Sequence, residues 1–378
     1  MGELRSEGRE SDPDLSSKKT DSEISELGEE GWIQIIRNRV SRSSSRVLVR
    51  LGDDAALTRI KSPLISTTDL LIENVHFIRR VHPPRLLGRK ALAVNLSDVA
   101  AMAGIPRFAL LSLGLPPGVK RKELEEFLEG FLEQAEGFAV ELIGGDTTAA
   151  ERMTISVTVL AEADKARVRL RSGAKGGDAV YVTGHLGEAS LGLHIIREGK
   201  KPITRIAGHP YGTLIRRHLD PVPRLELASD LGRIAHAMID LSDGLARDLG
   251  HILEETGYCG RVLSAEIETS RIPLSSAFRK YFKLKKNTKP LSDAALRFAL
   301  QGGEDYELLF TASSSNRVRD TLSELARKHR IPITRIGVLH KSEHIFIRLF
   351  DSLKKEIPLP EPIFEHFSIS QSARNPGT

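Results

Sequence analysis

The chain of 378 residues is 40% hydrophobic and 28% charged, with a formal net charge of +5. That length holds two domains with separate cores, no apolar run approaches a membrane span, and the polar start lacks the basic-then-apolar pattern of a secretory signal. A single cysteine, Cys259, excludes an internal disulfide and a Cys-based zinc site, and dispersed basic residues with 5% aromatics do not make a base-stacking platform; the expectation is a cytoplasmic protein with neither a nucleic-acid nor a membrane partner.

Residues 1–23 are almost wholly polar and are expected to be disordered. A helix is expected to begin near Ile24 and to run through "EEGWIQIIRNRV", with Trp32, Ile35 and Ile36 on its apolar face. Strands follow at 46–51 and 63–68, then a long helix at 84–103, a strand at 108–113 and a helix at 120–136 that stops at Gly137. Strands at 139–143 and 153–161 complete the first half. The glycine-rich "VRLRSGAKGGDAVYVTG" reads as the crossing into a second domain. There the pattern predicts a strand at 178–183, helices at 186–197 and 223–236, a short strand reaching Asp240 and a helix from Asp243 to Thr256. A strand at 306–311, a helix at 315–328 and strands at 333–339 and 344–349 precede an irregular tail, 351–378. Both halves are mixed α/β (α+β), giving an extension at 1–23, a first domain at 24–166 and a second at 167–378.

Acidic residues recur at the ends of apolar runs: Asp53 and Asp54 in "LGDDAAL", Asp69 in "STTDLL", Asp146 in "LIGGDTT", Asp240 and Asp243 in "IDLSDGL", Glu304 and Asp305 in "GGEDYELLF". One such cluster is an ordinary turn. Five of them, each placing carboxylates beside a hydrophobic segment, suggest a shared positive partner. The helix at 84–103 sharpens the point. Leu87, Ala91, Val94 and Asp98 share one face of a segment that is apolar nearly all round, so Asp98 sits where a core residue belongs, with Asn95 one turn before it. A buried carboxylate needs a cap to serve, an arginine or a metal ion. The available donors are carboxylates, hydroxyls and carbonyls, which suit Mg²⁺ or Ca²⁺; no EF-hand loop is present. Scattered carboxylates holding Mg²⁺ usually serve a phosphate substrate, yet P-loop and protein-kinase motifs are absent, and "GHLGEASLG" reads as a helix start. ATP would therefore bind through metal on aspartates and through arginines such as Arg169 and Arg171.

With "GDDAAL", "ISTTDLLIENVHF", "KALAVNLSDVAAMAG", "LIGGDTT", "RSGAKGGDAVYVTG", "IDLSDGLARDLGHI" and "GGEDYELLF" in this order over about residues 25–350, the chain resembles the thiamine-monophosphate kinase family, within the aminoimidazole ribonucleotide synthetase-like superfamily. The resemblance implies a two-domain fold, a homodimer through the N-terminal domains and a cleft between domains, where ATP phosphorylates thiamine monophosphate with several Mg²⁺ ions. By the same matching, Asp54, Thr67, Thr68, Asp69, Asp98, Asp146, Asp240 and Asp243 are expected at the metal, with Asp98, Asp146 and Asp243 central to catalysis. Gly145, Asp146, Arg171 and Ser242 are expected at ATP, and His76, Glu304 and Phe367 at the acceptor. The acceptor phosphate is its own nucleophile, so direct in-line transfer without a strong base is expected. Selenophosphate synthetase would need a cysteine near the start and the hydrogenase-maturation relative one at the end; neither is present. A nucleotide-binding regulator without activity is the alternative from outside the enzyme class.

Overall fold

The computed structural model describes residues 24–40, 44–49, 55–199, 206, 208–284 and 291–363. The expected disordered extension, Asp53, Asp54 and Phe367 lie outside them. Helix α1 (Ile24–Arg39) buries Trp32 and leads to the short strands β1 (Val47–Val49) and β2 (Leu57–Thr58). The first half continues as β3 (Leu64–Ile72), α2 (Pro84–Ala101), β4 (Ile105–Leu115), α3 (Arg121–Gly137), β5 (Glu141–Ala149) and β6 (Thr154–Glu162). The second contains β7 (Ala179–Thr183), α4 (Glu188–Glu198), α5 (Gly212–Leu219), α6 (Leu225–Leu231), β8 (Ala237–Asp240), α7 (Leu245–Tyr258) and β9 (Leu263–Glu268). It ends with α8 (Ser276–Tyr281), α9 (Asp293–Gln301), β10 (Leu308–Ala312), α10 (Asn316–His329), β11 (Ile333–Lys341), β12 (Ile347–Phe350) and β13 (Glu356–Ile357).

Two larger sheets organise these elements. The first has the order β3-β6-β4-β5, and the second β13-β12-β9-β11-β7-β10-β8. The first sheet has one face packed by α2, whose residues Leu87, Ala91, Leu92, Leu96, Val99 and Ala100 are all buried. Because side chains alternate along a strand, the second sheet feeds two cores. Ala179 and Tyr181 of β7 join α6 and α2 in a cluster that includes the first sheet, while Val180 and Val182 pack with α7 and α9 on the other side. The two halves thus share hydrophobic core across residue 166.

Several elements depart from expectation for local reasons. The strands predicted at 63–68 and 139–143 extend to Ile72 and Ala149, so Asp69 and Asp146 stand within strands and not in turns. The helix expected over 223–236 covers only 225–231, because Gly232 and its neighbours turn the chain toward β8. Helix α5, strand β9, helices α8 and α9 and strand β13 had no sequence expectation.

Helix α2 is fixed by backbone contact with α3. A Cβ at Gly88 would stand 1.9 Å from the carbonyl oxygen of Phe127, and one at Gly130 would stand 1.8 Å from that of Arg85. Neither obstruction is a side chain that could swing away. Gly88→Ala is expected to cost at least about 3 kcal/mol, at the upper end of overpacking penalties. The check is a lower urea midpoint at unchanged denaturant slope; an unaltered midpoint would mean that the helices separate freely.

Candidate active site

Asp98, near the end of α2, meets strand β3 from below. The strand has period two, so Thr67 and Asp69 face the helix while Ser66 and Thr68 face the opposite, open side of the sheet. Thr67 Oγ1 donates a short hydrogen bond to Asp98 Oδ2. Thr68 Oγ1 donates to the Val157 carbonyl (3.1 Å) and accepts from Thr158 Oγ1 (3.0 Å). Thr67 thus has its hydroxyl on the Asp98 side, and Thr68 has its own on the open face of the sheet.

The residue before Asp98 joins the second sheet. Ser97 Oγ donates to Asp240 Oδ2 at 2.7 Å, and Asp240, the last residue of β8, is 2% exposed. Asp69, Asp98 and Asp240 consequently perturb one another. Burial, then Asp98, pushes the Asp69 carboxyl up to about 6. Burial, then Asp98, with Asp69 adding, pushes Asp240 up to about 7. Asp98 itself is raised by burial, against the pull of its Thr67 hydrogen bond and of Arg171. Arg171, exposed on the turn Arg171–Gly173, is thus close enough for its charge to reach both Asp98 and Asp240.

After Asp240 the chain turns through Leu241, Ser242 and Asp243 into α7. Asp248, in the first turn of that helix, accepts from the backbone N–H groups of Asp243 (3.2 Å) and Gly244 (3.1 Å). Ligand atoms of Asp243, Asp248 and His251 lie within 4.8 Å of one another. The segment 241–243 is joined by backbone to the segment 303–307: Leu241 N donates to Glu307 O, Tyr306 N to Leu241 O, and Glu304 N to Ser242 O. Gly303 permits this approach, since a Cβ there would lie 2.4 Å from Ser242 O. Glu304 (φ 67°) and Tyr306 (φ 49°) adopt the left-handed region, an unfavourable one for such residues.

That alternation of backbone hand sends neighbouring acids to different places. Glu304 approaches Lys90 Nζ at 3.1 Å and His218 Nδ1 at 2.8 Å, the histidine contact being too bent for a good hydrogen bond. Burial pushes its carboxyl up, but Lys90 and then His218 outweigh burial and hold it well below the usual carboxylate range. Asp305 accepts from Gly187 N (2.6 Å) and Ala189 N (3.1 Å) at the start of α4, and burial raises it to about 7. Glu304, whose side chain is part-exposed, is therefore held as an anion, while Asp305 serves as a helix cap.

Other expected residues stand further out. His76 follows β3, and its Nδ1 accepts from Ile72 N at 3.1 Å, which leaves the ring proton on Nε2. Gly145 needs its missing side chain: a Cβ would lie 1.7 Å from Leu111 O. Asp146 pairs with Ser112, which pairs with Ser156, which pairs with Leu70. It thus belongs to the open face of the sheet, three strand spacings or about 14 Å from β3. The structure does not bring Asp146 to Asp98 within one chain. Lys90, Ser97, His218, Asp248 and Tyr306 had escaped sequence reasoning. Lys90 did leave a signal, since 90, 94 and 98 follow one helical face.

Comparison with known proteins agrees with this geometry. Residues 52–163 match the family model for AIR synthase related protein, N-terminal domain. The thiamine-monophosphate kinase of Buchnera aphidicola (subsp. Acyrthosiphon pisum) is 38% identical over 84% of this chain and 92% of its own. That of Bacillus subtilis is 38% identical over 79% and 87%. The crystal structure of the Stenotrophomonas maltophilia thiamine-monophosphate kinase superposes with a TM-score of 0.72 at 35% identity, covering 83% of this chain and 94% of that one. AaThiL complexed with AMPPCP and TMP gives 0.65 at 32% identity, over 89% and 96%. A hydrogenase maturation protein HypE, at 17% identity and 0.65, shares the fold.

The raised carboxyls fix the sign of a pH effect. A group whose pKa is higher folded than unfolded stabilises the fold most below its unfolded value, and that stability is lost as pH rises through the folded one. In metal-free protein, Asp240→Asn should therefore raise stability over wild type at pH 8 and raise it much less at pH 5. Chemical denaturation at the two pH values measures the difference; a gain independent of pH would mean that Asp240 is not strained by its neighbours.

Proposed function

The chain belongs to the thiamine-monophosphate kinase family, and from that premise we propose how its own residues carry the reaction. ATP phosphorylates thiamine monophosphate, giving thiamine diphosphate and ADP. The observation that carries the reading is the trio Asp69, Asp98 and Asp240, the first two partly buried and the third fully, gathered from a strand, a helix and a second sheet. With Thr67 they form an all-oxygen donor set in which burial raises all three carboxyls and Asp98 raises Asp69 and Asp240 further, the condition a hard divalent cation relieves. Mg²⁺ fits this chemistry, with Asp54 and Asp243 as further candidates. When bound, it would offset the negative charge of carboxylates and phosphates together.

The protein's own part is placement. Arg171 is suited to an ATP phosphate, and the Ser242 turn and Gly145 to the nucleotide. His76, whose ring proton is on Nε2, is suited to the acceptor. Glu304 is kept ionised beside the cleft, where it suits the cationic thiazolium ring, and Phe367 is the candidate aromatic for the same ring. Since the acceptor phosphate is itself the nucleophile, in-line transfer needs no strong base from the chain.

A homodimer through the first sheet is supported by the open face, where Leu64 and Leu70 are half-exposed. Asp146 belongs to that face, so in this reading Asp146 and Gly145 contribute to the site of the second copy. The division into 24–166 and 167–378 follows the membership of the two sheets. An exposed, unpaired Cys259 suits the cytoplasm, and among the described residues no helix is long and apolar enough to cross a membrane.

Acceptor choice is the direct test. ³¹P NMR of protein with MgATP should show thiamine diphosphate from thiamine monophosphate and almost no product from thiamine, whose neutral hydroxyl would need a base. Glu304→Gln should raise KM for the acceptor about tenfold or more and leave that for ATP little changed. Equal rates with both acceptors would overturn the reading.

The shared site has its own test. Asp98→Asn and Asp146→Asn should each lower turnover by roughly 10²–10³. In a mixed dimer of the two variants, one site would hold an intact Asp98 and receive an intact Asp146 from the other copy. Co-expression should therefore restore activity that neither variant has alone. No recovery in purified mixed dimers would mean that each chain supplies its own Asp146.

A further inference from the structure

Glu304 is not a free carboxylate awaiting a substrate cation. Its Oε1 accepts a hydrogen bond from Lys90 Nζ at 3.1 Å, and its Oε2 lies 2.8 Å from His218 Nδ1. Lys90 has a side-chain exposure of 0%, and Glu304 retains 24%. The pair is therefore open only on the carboxylate side. A fully buried ammonium is costly to desolvate, and the partner it meets comes from the other half of the chain. His218, 3% exposed on α5, is held neutral by burial and then by Lys90, so the firm charge beside Glu304 is that of Lys90. His82, also buried, bonds through Nε2 to Leu219 O at 3.1 Å, which places a second neutral ring behind the first.

Lys90 and Asp98 lie eight residues apart on α2, about 12 Å along its axis and on the same face. One end of the helix thus serves the carboxylate cluster and the other serves Glu304. Resting on the acceptor role read for Glu304 above, we propose that Lys90 is a positioning residue for the thiamine phosphate acceptor: it clamps the Glu304 carboxylate, ionised and in one orientation, so that its open edge meets the cationic ring. Lys90 does not touch the phosphate in this arrangement. It acts through Glu304, and helix α2 couples the place of the ring to the place of the reacting phosphates.

The experiment is a double-mutant cycle read as kinetic constants for each substrate separately. Lys90→Met keeps the length and removes the charge. It is expected to raise KM for thiamine monophosphate at least tenfold, with KM for ATP within about twofold of wild type. In a Glu304→Gln background, the same substitution should change acceptor KM by less than twofold, because its only route of action is gone. Removing one member of a buried pair can unfold a protein, and the Lys90→Met/Glu304→Gln double variant, which removes both charges, keeps the comparison available. If Lys90→Met lowers the melting temperature while leaving both KM values unchanged, the role is structural and the proposal fails. A further tenfold loss in the Glu304→Gln background would show direct contact with the acceptor, which also overturns it. Failure of the underlying reading is seen separately, as a Glu304→Gln enzyme with unaltered acceptor KM.

Discussion

The gathering of Asp69 and Asp98, both partly buried, with Asp240, which is 2% exposed, is the constraint around which the molecule is arranged. Carboxylates that share such a place repel one another more strongly than they would in bulk water. Loops would relax apart under that force. Here the three groups are mounted on the middle of a strand, the last turns of a largely buried helix and the end of a buried edge strand, where retreat would cost packing. The cluster is therefore maintained by the hydrophobic cores on either side of it. Stability spent on this arrangement leaves oxygen donors already assembled, a preorganised field for charge that develops during phosphoryl transfer.

Helix α2 carries that arrangement from one half of the chain to the other. Successive residues reach across: Arg89 Nε to Asp220 Oδ1 at 2.7 Å, Lys90 to Glu304, and Ser97 to Asp240. The opposing loop meets it with a similar economy of sequence. Within four positions, Glu304 turns to Lys90, Asp305 to the first amides of α4, and Glu307 to Thr183, Arg217 and Arg224. Left-handed backbone at Glu304 and Tyr306 makes these divergent directions possible. The strain has a visible return, since each acid acquires a different electrostatic state.

Some of this was legible before any coordinates. Asp98 broke an apolar helical pattern, and that misfit pointed to the place where Thr67, Asp69 and Asp240 gather. Period-two alternation alone separates Thr67 from Thr68, although motif matching had grouped them. Asp146 shows the limit of that approach: a Gly-Gly-Asp string reads as a turn near the nucleotide, whereas its face is decided by pairing with Ser112 on another strand. Lys90 escaped notice because nothing local announces Glu304, 214 residues away. That Glu304 and Asp305 point to different partners was not legible, because positive φ at a glutamate has no sequence signature. Helix α5 and strand β9 are short pieces whose burial comes from neighbours distant in the chain, and local periodicity carries little information there.

The meeting of α2 and α3 at Gly88 and Gly130 has a consequence for how such a protein can change over time. Most packing faults admit a second mutation that repairs them, because a partner side chain can shrink or turn. Here the partner is main chain on both sides, and no substitution at Phe127 or Arg85 alters a carbonyl oxygen. The two glycines therefore close off compensatory paths that the surrounding leucines and phenylalanines leave open. Sequence drift can revise the core around the helix, but it cannot easily revise the helix's distance from its neighbour, and with it the reach of the side chains that the site depends on.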